Sequence, residues 1–341
     1  MKSKLIFTIA FLFSLSIVAA QKSNINESPK LSHYLKGVPN PEDLMEIPGS
    51  DWIVVSSMAG DNNSSGRIYC VNRKTEKLLS LFNIDKGKTK LGYNNLERFA
   101  PHGIYIRQIA INNYRLMVIN HGSREAIETF QLYFKDALPE LLWESNINFP
   151  GNVWANGLVT DNSGNIYATA MYDPNDKEFL QKFSAKIPTG QVWKWTPSNG
   201  WLPFYKKTFS AANGIAISKN GKYLYVSEWA ARRIYKLSTT NSLDTTSVTV
   251  DFLPDNIRWT KDNEMTVTGQ KSSPMTLFTN KGVNKKIIYF SIIKINPNSL
   301  KTRKIIEGGD KNFANATGTL EIGDTYWVGC VADDKIAIYN K

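Results

Sequence analysis

Cysteine and histidine are both scarce in this chain, at two and three residues of 341. Cys70 and Cys330 are too few for a disulfide framework or a four-thiolate metal centre. Each lies in a strand pattern, so a ring-closing bridge and two plain buried residues are both open readings. Long basic blocks are also missing. Lys and Arg outnumber Asp and Glu by 41 to 30, a net charge of +11, yet no block exceeds a pair such as Arg232-Arg233 or Lys285-Lys286. That scatter argues against nucleic acid as a partner and for a solvated basic surface. Beyond residue 20 there is no apolar run of the ~20 residues that a membrane-spanning helix needs.

The one apolar run stands at the start. Lys2 and Lys4 precede Leu5 to Ala20, which is broken only by Thr8, Ser14 and Ser16. Val18 and Ala20 are small residues placed for a cut before Gln21. Residues 1–20 therefore read as a signal peptide, and the mature chain as secreted or periplasmic. An uncleaved segment would be its only membrane contact. Such export permits a disulfide without requiring one.

Aromatic residues are plentiful, with nine Trp, fifteen Tyr and sixteen Phe. They suit pleated, half-buried strands. Short segments that open alike then recur: Glu42-Asp43-Leu44, His102-Gly103-Ile104, Asn156-Gly157-Leu158, Asn213-Gly214-Ile215, Asp255-Asn256-Ile257 and, more loosely, Thr317-Gly318-Thr319. Their first residues are separated by 60, 54, 57, 42 and 62 positions. Each leads into strand, polar turn and strand, as in Asn213 to Ser218, Lys219 to Lys222 and Tyr223 to Ser227. Units of this length with antiparallel strands are propeller blades. The fold expected is all-β, a six-bladed β-propeller with four-stranded antiparallel blades around a central channel. Residues 21–34 read as an N-terminal arm and 35–341 as the single propeller domain. Residues 22–41 are expected to supply an outer strand or arm that helps close the ring. The polar insertion from Asp173 to Gly190 holds Glu178 to Phe183, a helical turn that could lie over one face.

In a propeller the innermost strands line the channel, so the leading residues converge. Glu42, Asn156, Asn213, Asp255 and the adjacent Asn256 each offer an oxygen. None offers sulfur, so a hard cation fits. Two carboxylates with neutral amides match a divalent charge, and calcium accepts 6–8 oxygens in flexible geometry. Magnesium demands stricter geometry and zinc prefers His or Cys. Asn-Gly and Asp-Asn are also ordinary turn dipeptides. Glu42 is the residue that turn chemistry does not explain. His102 leads its blade and faces the channel. His121, at the end of that blade's second strand, can approach it from behind, which suits a general base and its partner. His33, in the N-terminal arm, has no assigned role.

These stretches, together with Pro101-His102-Gly103-Ile104, Val118-Ile119-Asn120-His121, Ala212 to Ser218 and Pro254 to Ile257, resemble the serum paraoxonase/arylesterase family. The resemblance runs from about residue 35 to the end. More broadly the chain is similar to regucalcin/gluconolactonase-type propellers and to strictosidine-synthase-like proteins. The resemblance implies a catalytic calcium held by Glu42, Asn156, Asn213, Asp255 and Asn256, with His102 as general base and His121 as second histidine. It implies hydrolysis of lactones and aryl esters. It also implies a second, structural calcium at Asp43 and the backbone of Ile104. There the chain departs from the family, since Gly157 stands where an Asp would help hold that ion. The family's terminal disulfide has no clear counterpart, and the insertion at 173–190 is shorter and more polar than a lipid-facing helix. A monomer acting on a small lactone or ester is expected. Three other readings stay open: a sugar-lactone hydrolase of the gluconolactonase type, a strictosidine-synthase-like enzyme, and a propeller that only binds.

Overall fold

The computed structural model describes residues 28–60, 64–82, 96–204, 206–241, 243–280 and 285–341. The segment read as a signal peptide, residues 1–20, lies outside them, as do residues 21–27 of the arm. Among the described residues, 24 strands form six four-stranded antiparallel sheets. This is the six-bladed propeller that the repeat predicts. Blades one to five run in sequence from the channel outward. Their inner strands are Pro41–Glu46, Pro101–Ala110, Trp154–Thr160, Ala212–Ile217 and Leu253–Trp259. Blade six begins with Ala316–Ile322, and its outermost strand is Lys30–Lys36 from the start of the chain. That strand pairs antiparallel with Lys335–Asn340, setting Tyr34 opposite Ala337. The ring is therefore closed by hydrogen bonds between the two ends of the chain. Cys70 and Cys330 are free and buried in different clusters.

Strand sequence follows strand position. The second strand of blade one, Trp52–Ser57, is buried along its whole length, because neighbouring blades cover both faces. The outermost strand of blade four, Thr245–Thr249, is polar and largely exposed. Apolar side chains fill the wedges between blades. One cluster joins blades one and two around Phe82, Phe99 and Phe130, and another joins blades six and one around Leu44, Trp327 and Ile336.

The recurring motif has a structural cause. In every blade the register between inner and second strand slips at the leading residue. The slips fall between Pro41 and Asp43, Pro101 and Ile104, Ala155 and Leu158, Ala212 and Ile215, Pro254 and Ile257, and Ala316 and Gly318. A β-bulge bends the strand and re-aims a side chain. The glycine that follows meets a second demand. A Cβ on Gly103 would lie 2.2 Å from the carbonyl oxygen of Asn156, and one on Gly214 would lie 2.2 Å from that of Asp255. Each glycine thus admits the backbone of the next blade.

Two short helices lie over the rim where the leading residues gather. One, α1 (Phe179–Ser184), belongs to the insertion at 173–190. The other, α2 (Pro274–Thr279), was not read from the sequence, although Ser273-Pro274 carries its signal. The Ser273 side chain accepts the Thr276 N–H, and proline suits the first helical turn. Phe179 and Phe183 of α1 pack on Phe278 of α2, with ring centroids 5.4 and 6.1 Å apart.

Candidate functional site

The bulged inner strands bring Glu42, His102, Asn156, Asn213 and Asp255 to one cavity of about 520 Å³. All five are buried or nearly so, as is Asn256. Oε1 of Glu42 accepts a hydrogen bond from Nδ2 of Asn256 at 2.7 Å. Oε2 of Glu42, Oδ1 of Asn156 and Oδ1 of Asn213 are buried without a partner among the described residues. A buried polar atom left unpaired costs about 1–3 kcal/mol. These three oxygens, beside the Asp255 carboxylate, form a cradle suited to a hard cation; Oδ1 of Asn315, likewise buried without a partner among the described residues, belongs to a residue of the same cavity lining. Asn256 presents its amide nitrogen to Glu42, and a turn about its last torsion would bring its oxygen in instead. Among the described residues no three His, Cys, Asp or Glu side chains are grouped so as to hold a metal alone. The cradle therefore depends on amide oxygens.

The electrostatics agree with the geometry. Burial, then the charges of Asp43 and Asp255, push the Glu42 carboxyl well above the ordinary range. Burial pushes Asp255 up to about 7, against hydrogen bonds from Gln270 and Asn213. Gln270 Nε2 donates to Asp255 at 2.8 Å, while its oxygen accepts the Trp229 indole N–H at 3.0 Å. The anionic forms of these carboxyls are thus costly until positive charge is supplied.

The two histidines touch. Nδ1 of His102 lies 2.8 Å from Nε2 of His121, and Nδ1 of His121 lies 2.7 Å from Oε2 of Glu125. The other Glu125 oxygen accepts the Ala155 N–H at 2.7 Å. With both rings neutral, the Glu125 carboxylate sets the tautomers along this chain. Glu125 accepts from Nδ1–H of His121, whose Nε2 then accepts from Nδ1–H of His102. Nε2 of His102 is left unprotonated, an acceptor with the Asn156 amide nitrogen at 3.4 Å as its donor and a Glu42 carboxylate oxygen 3.6 Å away. Burial and the adjacent His121 hold His102 well below the usual histidine value, so it is neutral at pH 7. The His121 ring stacks on Trp154 at 4.1 Å between centroids, tilted by 11°. Trp154 in turn stacks on Tyr172.

Asp43 points elsewhere. Its oxygens accept the Leu44 N–H at 2.9 Å and the Ile104 N–H at 3.0 Å, and it pairs with the guanidinium of Arg258. Burial still pushes its carboxyl up, against the pull of these donors. His33, in the outermost strand, meets Glu76 at the surface. Thr317 binds the Glu42 carbonyl at 2.7 Å through its hydroxyl. A larger cavity, about 810 Å³, lies at the other end of the inner strands, lined by Tyr105, Tyr225, Trp259 and turn residues. It has no histidine and none of the unpaired oxygens, so the chemistry belongs to the smaller cavity.

The model of the arylesterase family matches residues 32–307. This chain belongs to the arylesterase family. Among its arylesterase relatives is serum paraoxonase/arylesterase 2 of Bos taurus, 29% identical over 242 residues, covering 66% of this chain and 64% of the relative. Human serum paraoxonase/arylesterase 1 is 27% identical over 215 residues, covering 59% and 57%. The chain thus spans less than two thirds of the length of these relatives. The arylesterase fold here is similar to that of XC5397, a gluconolactonase from Xanthomonas campestris, with a TM-score of 0.58, 14% identity and coverage of 92% and 95%. It is also similar to a calcium-binding regucalcin from Agrobacterium tumefaciens, with a TM-score of 0.53, 9% identity and coverage of 92% and 93%.

Sequence reasoning missed Glu125, Trp154, Gln270 and Arg258. Gln270 ends a second strand and Glu125 immediately precedes a third strand, both outside the repeated motif. Arg258 could have been found, since it is two residues beyond Asn256 and strand alternation puts both on one face.

Proposed function

We propose that this arylesterase-family protein is a calcium-dependent hydrolase of lactones and aryl esters. The observation that carries the reading is the convergence of three unpaired oxygens, of Glu42, Asn156 and Asn213, beside Asp255 and within reach of a neutral His102. Glu42, Asn156, Asn213, Asp255 and, after turning its amide, Asn256 would hold the ion. A calcium ion bound there would supply Lewis-acid polarisation of a substrate carbonyl.

The protein's own residues do the rest. Nε2 of His102 takes a proton from the attacking water, and its Nδ1–H is steadied by His121. Glu125 anchors His121 in the tautomer that leaves Nε2 of His102 unprotonated. Water oxygen bonds to the carbonyl carbon, the ester C–O bond breaks, and the proton held by His102 passes to the leaving alkoxide. The products are the acid and the alcohol. Positioned general-base help of this kind contributes about 10²–10⁴-fold.

The walls favour an apolar acyl or aryl group. Trp154, Tyr172, Trp229 and Phe278 line the cavity, with Leu277 and Met171. Asn40, Asn280, Lys285 and Asn315 also line it. The family match supports the arylesterase reading over the gluconolactonase type. The paired carboxylates Glu42 and Asp255 support a metal-dependent enzyme over a strictosidine-synthase-like one.

The test is hydrolysis of phenyl acetate and of simple lactones in calcium, in chelator, and by the His102→Gln and Asp255→Ala variants. Chelator and Asp255→Ala should each abolish turnover, and His102→Gln should lower kcat by about 10²–10⁴-fold. Turnover indifferent to both chelator and Asp255→Ala would sink the proposal, and no turnover of any substrate would leave a binding propeller.

A further inference from the structure

Arg258 lies in the inner strand of blade five, two residues beyond Asn256 on the same strand face. Its guanidinium crosses the channel. Nη2 pairs with the Asp43 carboxylate, in blade one. Nε donates to the Leu44 carbonyl at 3.2 Å, also in blade one. Nη2 reaches the Ile104 carbonyl of blade two at 3.4 Å, and Nη1 donates to the carbonyl of its own neighbour Ile257 at 2.9 Å. One carboxylate and three backbone carbonyls thus surround one positive group, and the arginine side chain is only 10% exposed. An all-oxygen set is what a hard metal ion takes. Here a covalently attached cation fills it.

Gly157 adds the complementary fact. It brings no side-chain oxygen toward Asp43, and a Cβ there would lie 3.2 Å from the Asn213 carbonyl oxygen and from Ile215. A longer side chain would crowd the next blade. The charge balance points the same way. Glu42, Asp43 and Asp255 are three buried carboxylates, and one guanidinium leaves two negative charges uncompensated. One divalent cation in the cradle at Glu42 cancels them, and a second would leave an excess of two positive charges in a buried site.

We propose that the Arg258 guanidinium permanently occupies a second cation position, so that the protein holds one metal ion and pins blades one, two and five across the channel without another. The count of one rests on the calcium reading of the Glu42 cradle. The pinning does not. An ion that can dissociate is replaced by a group that cannot, so this half of the channel stays closed whatever the calcium concentration. Arg258 also borders a smaller cavity of about 280 Å³ beyond it, which contains Tyr105 and Trp259. It therefore stands as a floor between the cradle and the far end of the channel.

The experiment is calcium stoichiometry by equilibrium dialysis of the full chain, paired with melting temperature in chelator and in millimolar calcium. Wild type is expected to bind one ion per chain. Arg258→Ser should bind two, melt lower than wild type in chelator, and recover more of that loss in calcium than wild type does. Recovery should vanish when Asp43→Asn is added. If Arg258→Ser folds only in calcium, that dependence is the expected gain. If it folds in neither, Arg258→Lys is read instead, and one ion is expected because a cation is kept. Two ions in wild type or in Arg258→Lys would overturn the proposal while leaving the calcium cradle standing. An unchanged count in a folded Arg258→Ser overturns it as well. No ion in wild type would remove the calcium reading of the cradle, and a gain of one in Arg258→Ser would still support the arginine assignment.

Discussion

Nδ1 of His121 lies 2.7 Å from Oε2 of Glu125, and through this contact a carboxylate on the rim orients a histidine pair inside the channel. Glu125 never reaches the cavity lining. It acts on His102 through His121, and on the third blade through the Ala155 N–H. It is a positioning residue. Glu125→Gln should keep the fold but lower kcat by about 10–100-fold with KM little changed, the usual cost of losing an outer orienting partner. Its kcat should also depend on pH differently from wild type, because the tautomer of His121 is no longer held. Equal losses in kcat and melting temperature, with the pH profile unmoved, would mark Glu125 as structural only.

The cradle predicts an unusual pH dependence of stability. Burial raises the folded-state values of Asp255, to about 7, and of Glu42. The unfolded chain titrates these groups at about 4. Folded protein therefore binds the protons more tightly, and stability from these groups is present at low pH and lost as pH rises through about 7. His102, held neutral in the fold, adds a smaller change of opposite sign, because the unfolded imidazole is about half protonated at about pH 6.5 and loses that proton by about pH 8. In chelator, the melting temperature should fall between pH 6.5 and 8. Calcium should reverse that fall, and its affinity should rise over the same window as protons leave the carboxylates. A calcium-free protein that gains stability from pH 6.5 to 8 would contradict the assignment.

The close approach at Gly103 is open to a direct test. A methyl group there would meet the Asn156 carbonyl at 2.2 Å, backbone against which it cannot move aside. Gly103→Ala should destabilise by about 1–3 kcal/mol or more, the range of overpacking in a filled core. Urea unfolding measures it. Gly49→Ala is not a fair control, since Gly49 has positive φ. Ala110→Gly, in the exposed end of the same strand, should cost about 1 kcal/mol or less and calibrates the reading.

Burial also bears on the thiols. Cys70 is pushed far up and Cys330 up to about 12, in both cases chiefly by desolvation. Neither has appreciable thiolate at pH 8, and neither is accessible. Native protein should resist iodoacetamide at pH 8 with or without prior reduction, and urea-denatured protein should take up two equivalents. Reduction should leave the melting temperature unchanged. A denatured, unreduced chain that shows no free thiol would mean the two are bridged.

Much of the fold was legible in the sequence. Six similar openings with regular polar turns specify six blades, because each blade must present the same bulged strand to the same crowded axis. The convergence of the leading residues on one cavity was legible for the same reason, and Glu42 stood out because turn chemistry does not select Glu. The helix at Pro274–Thr279 was not, since six residues carry little periodicity and only Ser273-Pro274 marks the start.

What the chain alone determined is the number of blades, the order in which they come, and which residue types stand nearest the channel. Those are local matters, set by strand alternation and turn chemistry. Tertiary structure decided which atoms face each other. Arg258 reaches Asp43 across 215 positions of sequence, and Glu125, though only four residues from His121, meets it in the connection between two strands, where that spacing carries no periodic signal. The repeat brings six strands to one axis. Only the packed ring, with its bulges and glycine contacts, sets the unpaired oxygens of Glu42, Asn156 and Asn213 beside a neutral histidine and places a guanidinium at Asp43.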